Sequence, residues 1–449
     1  MNPVSRNPNF LAIAAVVLTT AVSSWAQGDL PLSLNRAVQI ALEPEGSTRV
    51  ALAQEAIAQA EQQQALAKAN FMPNLTGALT DRNQTVNLQT FGFNSSSLFP
   101  GFSIPSLVGP FTVFDARATA QVPVFNFSTV RQYQATKASV DVEKAQLDVT
   151  NTDVAEEVAR AYLATLRADA ALETAQANVN LAQALEQQAR SQLVAGTGTG
   201  IELTRAQVQL ADDRQRLTVA ENERRRAALS LLRTMGVDLD VPVQLTQALT
   251  FDPVITEDTE TFLARAMEQR PELRLQERRE FAVQRGIDAV RAEAVPSLSA
   301  FGDYGTIGRH GVGVRPTRQV GVTLNVPLWD GGRRKARTAE REVQLRQEKL
   351  RTRDMREQIE LDVRLALQSL ESARTQVETA REGLQLAQDE LAQAQRRYQA
   401  GVSIPLEVTD AQTRLDRARE NEISALYNYN VARLDLAAAT GTLEEFVNQ

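Results

Sequence analysis

Ala195 to Asp212 reads AGTGTGIELTRAQVQLAD, and Ala400 to Arg417 reads AGVSIPLEVTDAQTRLDR. Aligned, Gly196 meets Gly401, Glu202 meets Glu407, Thr204 meets Thr409 and Ala206-Gln207 meets Ala411-Gln412, at a constant offset of 205 residues. Each copy is a short break between long runs of helix formers. Ser128 to Ala195 runs 68 residues without Gly or Pro, and Arg333 to Ala400 runs 68 with only Gly383. After the breaks, Ile201 to Met235 and Leu406 to Thr440 each run 35 residues with neither breaker. Gly and Pro are the residues that cost most inside a helix, so these runs predict a duplicated helical hairpin with unequal arms.

A 68-residue helix is about 100 Å long at 1.5 Å per residue. Its 35-residue partner covers roughly half of that. The other half is covered if the shorter helices expected at Glu45 to Met72 and from Pro271 to Pro296 stack end to end with the partners. Leu32 to Leu42 and Glu257 to Gln269 predict two further short helices. Between each shorter helix and its long rod the period changes to two. Asn74 to Val86, Ala116 to Phe125, Ser297 to Thr306 and Thr317 to Leu328 predict four strands, with loops at Asn87 to Phe111 and Ile307 to Pro316. In the last strand Val320, Val322, Leu324 and Val326 alternate with Gln319, Gly321, Thr323 and Asn325. The fold class is therefore mainly α with a small β part: long coiled-coil helices in an α-helical barrel, plus four strands per chain. Strands of about 9 to 11 residues cross a bilayer when tilted, but two hairpins cannot close a barrel and open edges are excluded from lipid. Closure by oligomerisation follows.

Aromatics are 5 % of 449 residues, a coiled-coil composition rather than that of a thick core. With no cysteine, a disulfide framework, a cysteine–zinc site and an N-terminal lipid anchor are all excluded. A net charge of −7 gives no support for nucleic-acid binding. Residues 1–26 predict a secretory signal, with Arg6, an apolar run from Phe10 to Val22, and Ser24 and Ala26 at the cleavage-site positions. Residues 27–236 form the first structural repeat, 237–256 a linker, 257–441 the second repeat and 442–449 a C-terminal tail. A secreted coiled-coil scaffold without a pore is the alternative on composition alone, but it has no need of alternating strands.

Glu407 and Asp410 lie three apart, hence on one face of a helix one turn from the tip. Repeated by symmetry they become rings of like charge that favour cations. An ordinary solvated face is the other reading. Glu202 adds a third ring, unless Arg205 three residues on neutralises it. The glycines of residues 196–200 follow no strand and precede no lysine, so a phosphate loop is rejected. The one histidine, His310, makes no transition-metal site by itself. Phe91, Phe93, Phe99, Phe102 and Phe111 fit an interfacial girdle or simple loop packing equally. No catalytic constellation is present, so the chain reads as a non-enzyme with no cofactor.

These pieces together resemble the outer membrane efflux family, the TolC-like channels. The resemblance rests on residues 34–42, the Pro-x-Leu strand starts at Pro73 and Pro296, the Val-Pro-Leu-Trp-Asp-Gly-Gly of 326–332, and both Ala-Gly tips followed by Ala-Gln. It implies a homotrimer in the outer membrane, with a periplasmic tunnel docked on a periplasmic adaptor and an inner-membrane pump of the RND, ABC or MFS type. It places the acidic ring positions on Glu407 and Asp410 and the gate-locking tyrosine on Tyr398. The gate arginine falls at Ser403, where this chain departs. Gly196, Thr197, Gly198, Gly401, Val402 and Ser403 are the expected adaptor-contacting tips.

Overall fold

A computed structural model describes residues 30–43, 46–92, 105–253, 258–309, 312–400, 402–403 and 405–448. The expected signal segment, His310, Gly401 and Phe93, Phe99 and Phe102 lie outside them. The first half runs β1 (Leu30–Leu32), α1 (Leu34–Leu42), α2 (Thr48–Ala69), β2 (Asn74–Asn87), β3 (Leu107–Phe125), α3 (Phe127–Val194) and α4 (Gly200–Met235). The second runs β4 (Val243–Leu245), α5 (Thr259–Gln269), α6 (Pro271–Ala292), β5 (Ser297–Arg309), β6 (Gly313–Asn325), α7 (Arg333–Gln399), α8 (Pro405–Thr440) and α9 (Leu443–Val447).

The two long rods measure 68 and 67 residues. Along α3 lie α2 and α4, and along α7 lie α6 and α8, while α3 also packs on α6 and α8 and so joins the two hairpins. The buried seam is narrow: Ile359, Val363, Ala366, Leu370, Ala373 and Val377 recur along α7 at spacings of three and four. That spacing is one helical stripe, and it explains how so long a molecule manages with few aromatics. The thickest packing lies midway, where Ala37 and Val38 of α1, Val158 and Tyr162 of α3, Leu231 and Met235 of α4, and Leu434 of α8 form one cluster.

The strands differ from expectation in length. β3 begins at Leu107 rather than Ala116, β5 runs on to Arg309, and β6 spans Gly313 to Asn325 rather than Thr317 to Leu328. Most of the expected loop at Ile307 to Pro316 is therefore strand. Loop-type composition in these stretches is overridden by antiparallel pairing with a neighbour, as in Ile307↔Arg315. Beyond Asn325 pairing stops just before Pro327, which has no N–H to give. The short helix expected from Leu32 starts at Leu34, because Leu30–Leu32 pairs in parallel with Val243–Leu245.

Strand order is β2-β3-β5-β6, all antiparallel, with β2 and β6 at the edges. The register sorts the faces. Leu79 pairs with Ala116, Leu75 with Ala120, Val122 with Ala300, and Ala300 with Val322. That face is apolar and open: Leu79 is 79 % and Val320 83 % exposed. The other carries Thr119, Asp303 and Gln319 in one row, and Arg117 bridges Asp115 and Asp303 there. The edges are left to other copies, and oligomerisation forms the barrel.

Candidate functional site

The two turns at the far end of the rods differ in detail despite their shared ancestry in the sequence. At the first, Gly196 adopts φ +75° and donates its N–H to Leu193 O at 3.1 Å, while Thr197 and Gly198 both donate to Gln192 O at 3.0 Å. A left-handed residue past the last helical turn satisfies carbonyls that the helix leaves unpaired. Helix α4 then starts behind Thr199, whose N–H donates to Glu202 Oε2 at 2.9 Å. Glu202 thus closes its own helix start, where a carboxylate also meets the positive end of the helix dipole.

At the second turn Glu407 is held by side chains. It accepts a hydrogen bond from Ser403 Oγ and pairs with Arg397 Nε at 3.3 Å. The position where an arginine was expected holds a serine, and a guanidinium reaches the same carboxylate from six residues earlier on α7. Asp410 is exposed and makes no ion pair or hydrogen bond among the described residues. Arg205 is likewise exposed and unpaired there, so it leaves Glu202 alone. Under the 205-residue offset Arg205 is the counterpart of Asp410, so equivalent tip positions carry opposite charges.

One contact ties the turns together. The half-buried Tyr398 donates its hydroxyl to Gln192 Oε1 across from α7 to α3. Burial pushes the Tyr398 hydroxyl up from its ordinary pKa, the Glu202 charge adds to that, and the Gln192 bond acts the other way. The structure therefore groups Glu202, Gln192 and Tyr398 on one side and Arg397, Ser403 and Glu407 on the other. Asp410 and Arg205 belong to neither group. Gln192 and Arg397 escaped the sequence reading, although they are each other's counterparts at the offset of 205. Comparing the two repeats upstream of the glycine would have found them.

Around the turns, Val194 is 85 %, Val402 71 % and Ile201 60 % exposed. Among the described residues no group of three or more His, Cys, Asp or Glu could hold a metal ion, and no helix is long and apolar enough to cross a membrane.

Comparisons with known proteins follow the same outline. The sequence profile of the outer membrane efflux protein family matches residues 42–237 and 262–442. Protein CyaE of Bordetella pertussis is 26 % identical over 316 residues, which is 69 % of this chain. The match spans 66 % of that relative, just under two thirds of its length. Among solved structures, CusC superposes with a TM-score of 0.73 at 19 % identity, covering 93 % of this chain and 95 % of its own. The Campylobacter jejuni outer membrane channel CmeC gives 0.73 at 15 % identity, with 94 % and 90 % covered. The open state of the Neisseria gonorrhoeae outer membrane channel MtrE gives 0.71 at 18 %, with 91 % and 89 % covered.

Proposed function

The chain belongs to the outer membrane efflux protein family, and on that premise we propose that it is the passive exit duct of a tripartite efflux or type I secretion assembly. Three copies place twelve strands in the outer membrane and the paired rods in the periplasm. The observation that carries this reading is the four-stranded sheet with one apolar face and two open edges, continuous with helical hairpins about 100 Å long. A sheet of that kind is stable in lipid only as part of a closed ring. The exposed Val194, Ile201 and Val402, with the turn residues Gly196, Thr197, Gly198 and Ser403, form the surface for a periplasmic adaptor. An inner-membrane pump of the RND, ABC or MFS type supplies the energy, and that pump selects the substrate.

The tips act as the gate and charge filter. Tyr398 holds α7 to α3 through Gln192, and Glu407 is held by Ser403 and Arg397. Because Glu407 is partly neutralised, Asp410 carries more of the cation preference. Arg205, its counterpart, opposes it at the same level of the mouth. Reconstitution in planar bilayers tests this. We expect a pore whose cation preference falls in Glu407→Gln/Asp410→Asn and rises in Arg205→Gln. Screening weakens these effects at 1 M salt, where the Debye length is about 3 Å. A pore whose selectivity ignores both changes returns these residues to an ordinary solvated face.

A further inference from the structure

Two carboxylates meet inside the molecule, away from the tips. Asp213 of α4 is fully buried, and Asp416 of α8 is 6 % exposed. They come from different halves, and their counterparts at the offset of 205 are Ala418 and Ala211. The acid pair is therefore no product of the duplication. A single guanidinium serves both: Arg216 Nη1 lies 3.7 Å from Asp213 Oδ1 and 3.6 Å from Asp416 Oδ2. Those distances are too long for hydrogen bonds. Asp213 also accepts from Gln209 Nε2 at 3.1 Å, but neither oxygen of Asp416 has a hydrogen-bond donor. One turn earlier on the same face, Gln412 buries an amide donor without a partner.

Both acids line a half-open cleft of about 670 Å³ between α3, α4 and α8. From α3, Arg167 reaches the cleft and stacks on Tyr427, and Asn178 is taken by Arg419 at 2.6 Å. From α4 come Asp212 and Glu223, and from α8 itself Arg417 and Glu420. On the α7 side, Glu390 is occupied by Arg414. From farther off, Arg419 favours the charged form of Asp416 and Glu420 opposes it, but among the described residues Arg216 makes the only ion pairs to the two acids. Two buried carboxylates sharing one distant guanidinium leave an uncompensated charge, and the least costly remedy is uptake of a proton.

We propose that Asp213, Arg216 and Asp416 form a proton-sensitive clasp that ties α4 to α8 across α3, tightening when the pair takes up one proton and loosening when it gives the proton up. Burial pushes both carboxyls up, and the Asp213 charge raises Asp416 further, to about 6. A carboxyl whose pKa is raised by folding binds its proton more tightly in the folded state. Its stabilising effect is complete below pH 3.8, the unfolded value, and is lost as pH rises through about 6. The clasp adds one link between hairpins that already pack through α3, so proton loss loosens α4 against α8 around these residues. Two carboxylates beside a guanidinium make a poor metal site, which is why a proton is the cation assigned.

The test is amide hydrogen exchange of the full-length protein in detergent, corrected for intrinsic rates, for α4 and α8 around these residues. Local opening should increase roughly tenfold from pH 5 to pH 8. Asp416→Asn should flatten that dependence and be better protected than the native protein at pH 8. Asp213→Asn should move the transition to lower pH, and it decides the matter if the first variant fails to assemble. A pH-independent native protein, an unchanged dependence in both variants, or protection restored at pH 8 by calcium ions would each overturn the clasp. None of these readings depends on export, so they are separable from the channel assignment.

Discussion

Gly196 and Gly236 both sit at positive φ, +75° and +73°, but a methyl group added to each meets different surroundings. At Gly196 a Cβ meets nothing within 4 Å, whereas at Gly236 it falls 2.2 Å from the Gly46 carbonyl oxygen. Left-handed backbone costs a non-glycine residue about 1–2 kcal/mol. Gly196→Ala should incur only that, at an exposed turn, leaving outer-membrane levels intact while weakening export. Gly236→Ala must also displace a backbone carbonyl in the thickest part of the core, so outer-membrane levels should collapse. Immunoblots of outer-membrane fractions beside export assays distinguish the two. Tyr398→Phe removes a single hydrogen bond worth about 1 kcal/mol and should raise the basal opening of the pore in bilayers severalfold; closed-state conductance equal to that of the native protein would count against a lock at Tyr398. Which acids sit near the tips was legible in the repeat. How each is satisfied was not, because a carboxylate's partner depends on rotamers and on residues an element away. Glu202 and Glu407 share one repeat position, yet one closes a helix and the other holds an ion pair.

The four long helices were legible to within a residue, because their signal is the absence of breakers over dozens of positions. The helices expected at Glu45 to Met72 and Pro271 to Pro296 are shorter than expected, at Thr48–Ala69 and Pro271–Ala292. The strands were less legible. Leu107 to Asp115 contains Gly109 and Pro110, which locally indicate a loop, but it is held as strand by pairing with Asn87 to Thr80. Pairing partners distant in sequence leave no local periodicity to read. The small sheet of β1 and β4 escaped for the same reason: three residues at each end of a separation of more than 200. It matters for stability. Tyr162, buried against it, donates its hydroxyl to Leu32 O at 3.0 Å, and burial pushes its pKa up to about 12. The folded state therefore holds the phenolic proton more tightly than the unfolded chain. Its stabilisation is complete below pH 10.0, the ordinary value, and is lost as pH rises through about 12. Tyr162→Phe should lose roughly 1 kcal/mol at neutral pH and be less sensitive to alkali. Thermal unfolding at pH 8 and pH 11 measures both, and an identical alkaline slope in the variant would remove Tyr162 from the account.

For the whole molecule, one chain explains the need for partners but not their number. Ring size depends on the curvature of the assembled sheet and on the angle between hairpins of neighbouring copies, neither of which is written in one copy's hydrophobic pattern. The open edges offer a direct way to count. The chain has no cysteine, so introduced thiols are the only ones present. Cysteines placed in pairs along β2 and β6, stepping the register past Leu79 and Val320, bring a thiol of one copy against a thiol of the next wherever the true register is matched. After oxidation of outer-membrane fractions, at least one register should give a disulfide-linked ladder that ends at three chains, with a single closed species on denaturing gels. A ladder ending at any other number, or chains in that fraction that stay monomeric at every register, would contradict the trimeric duct.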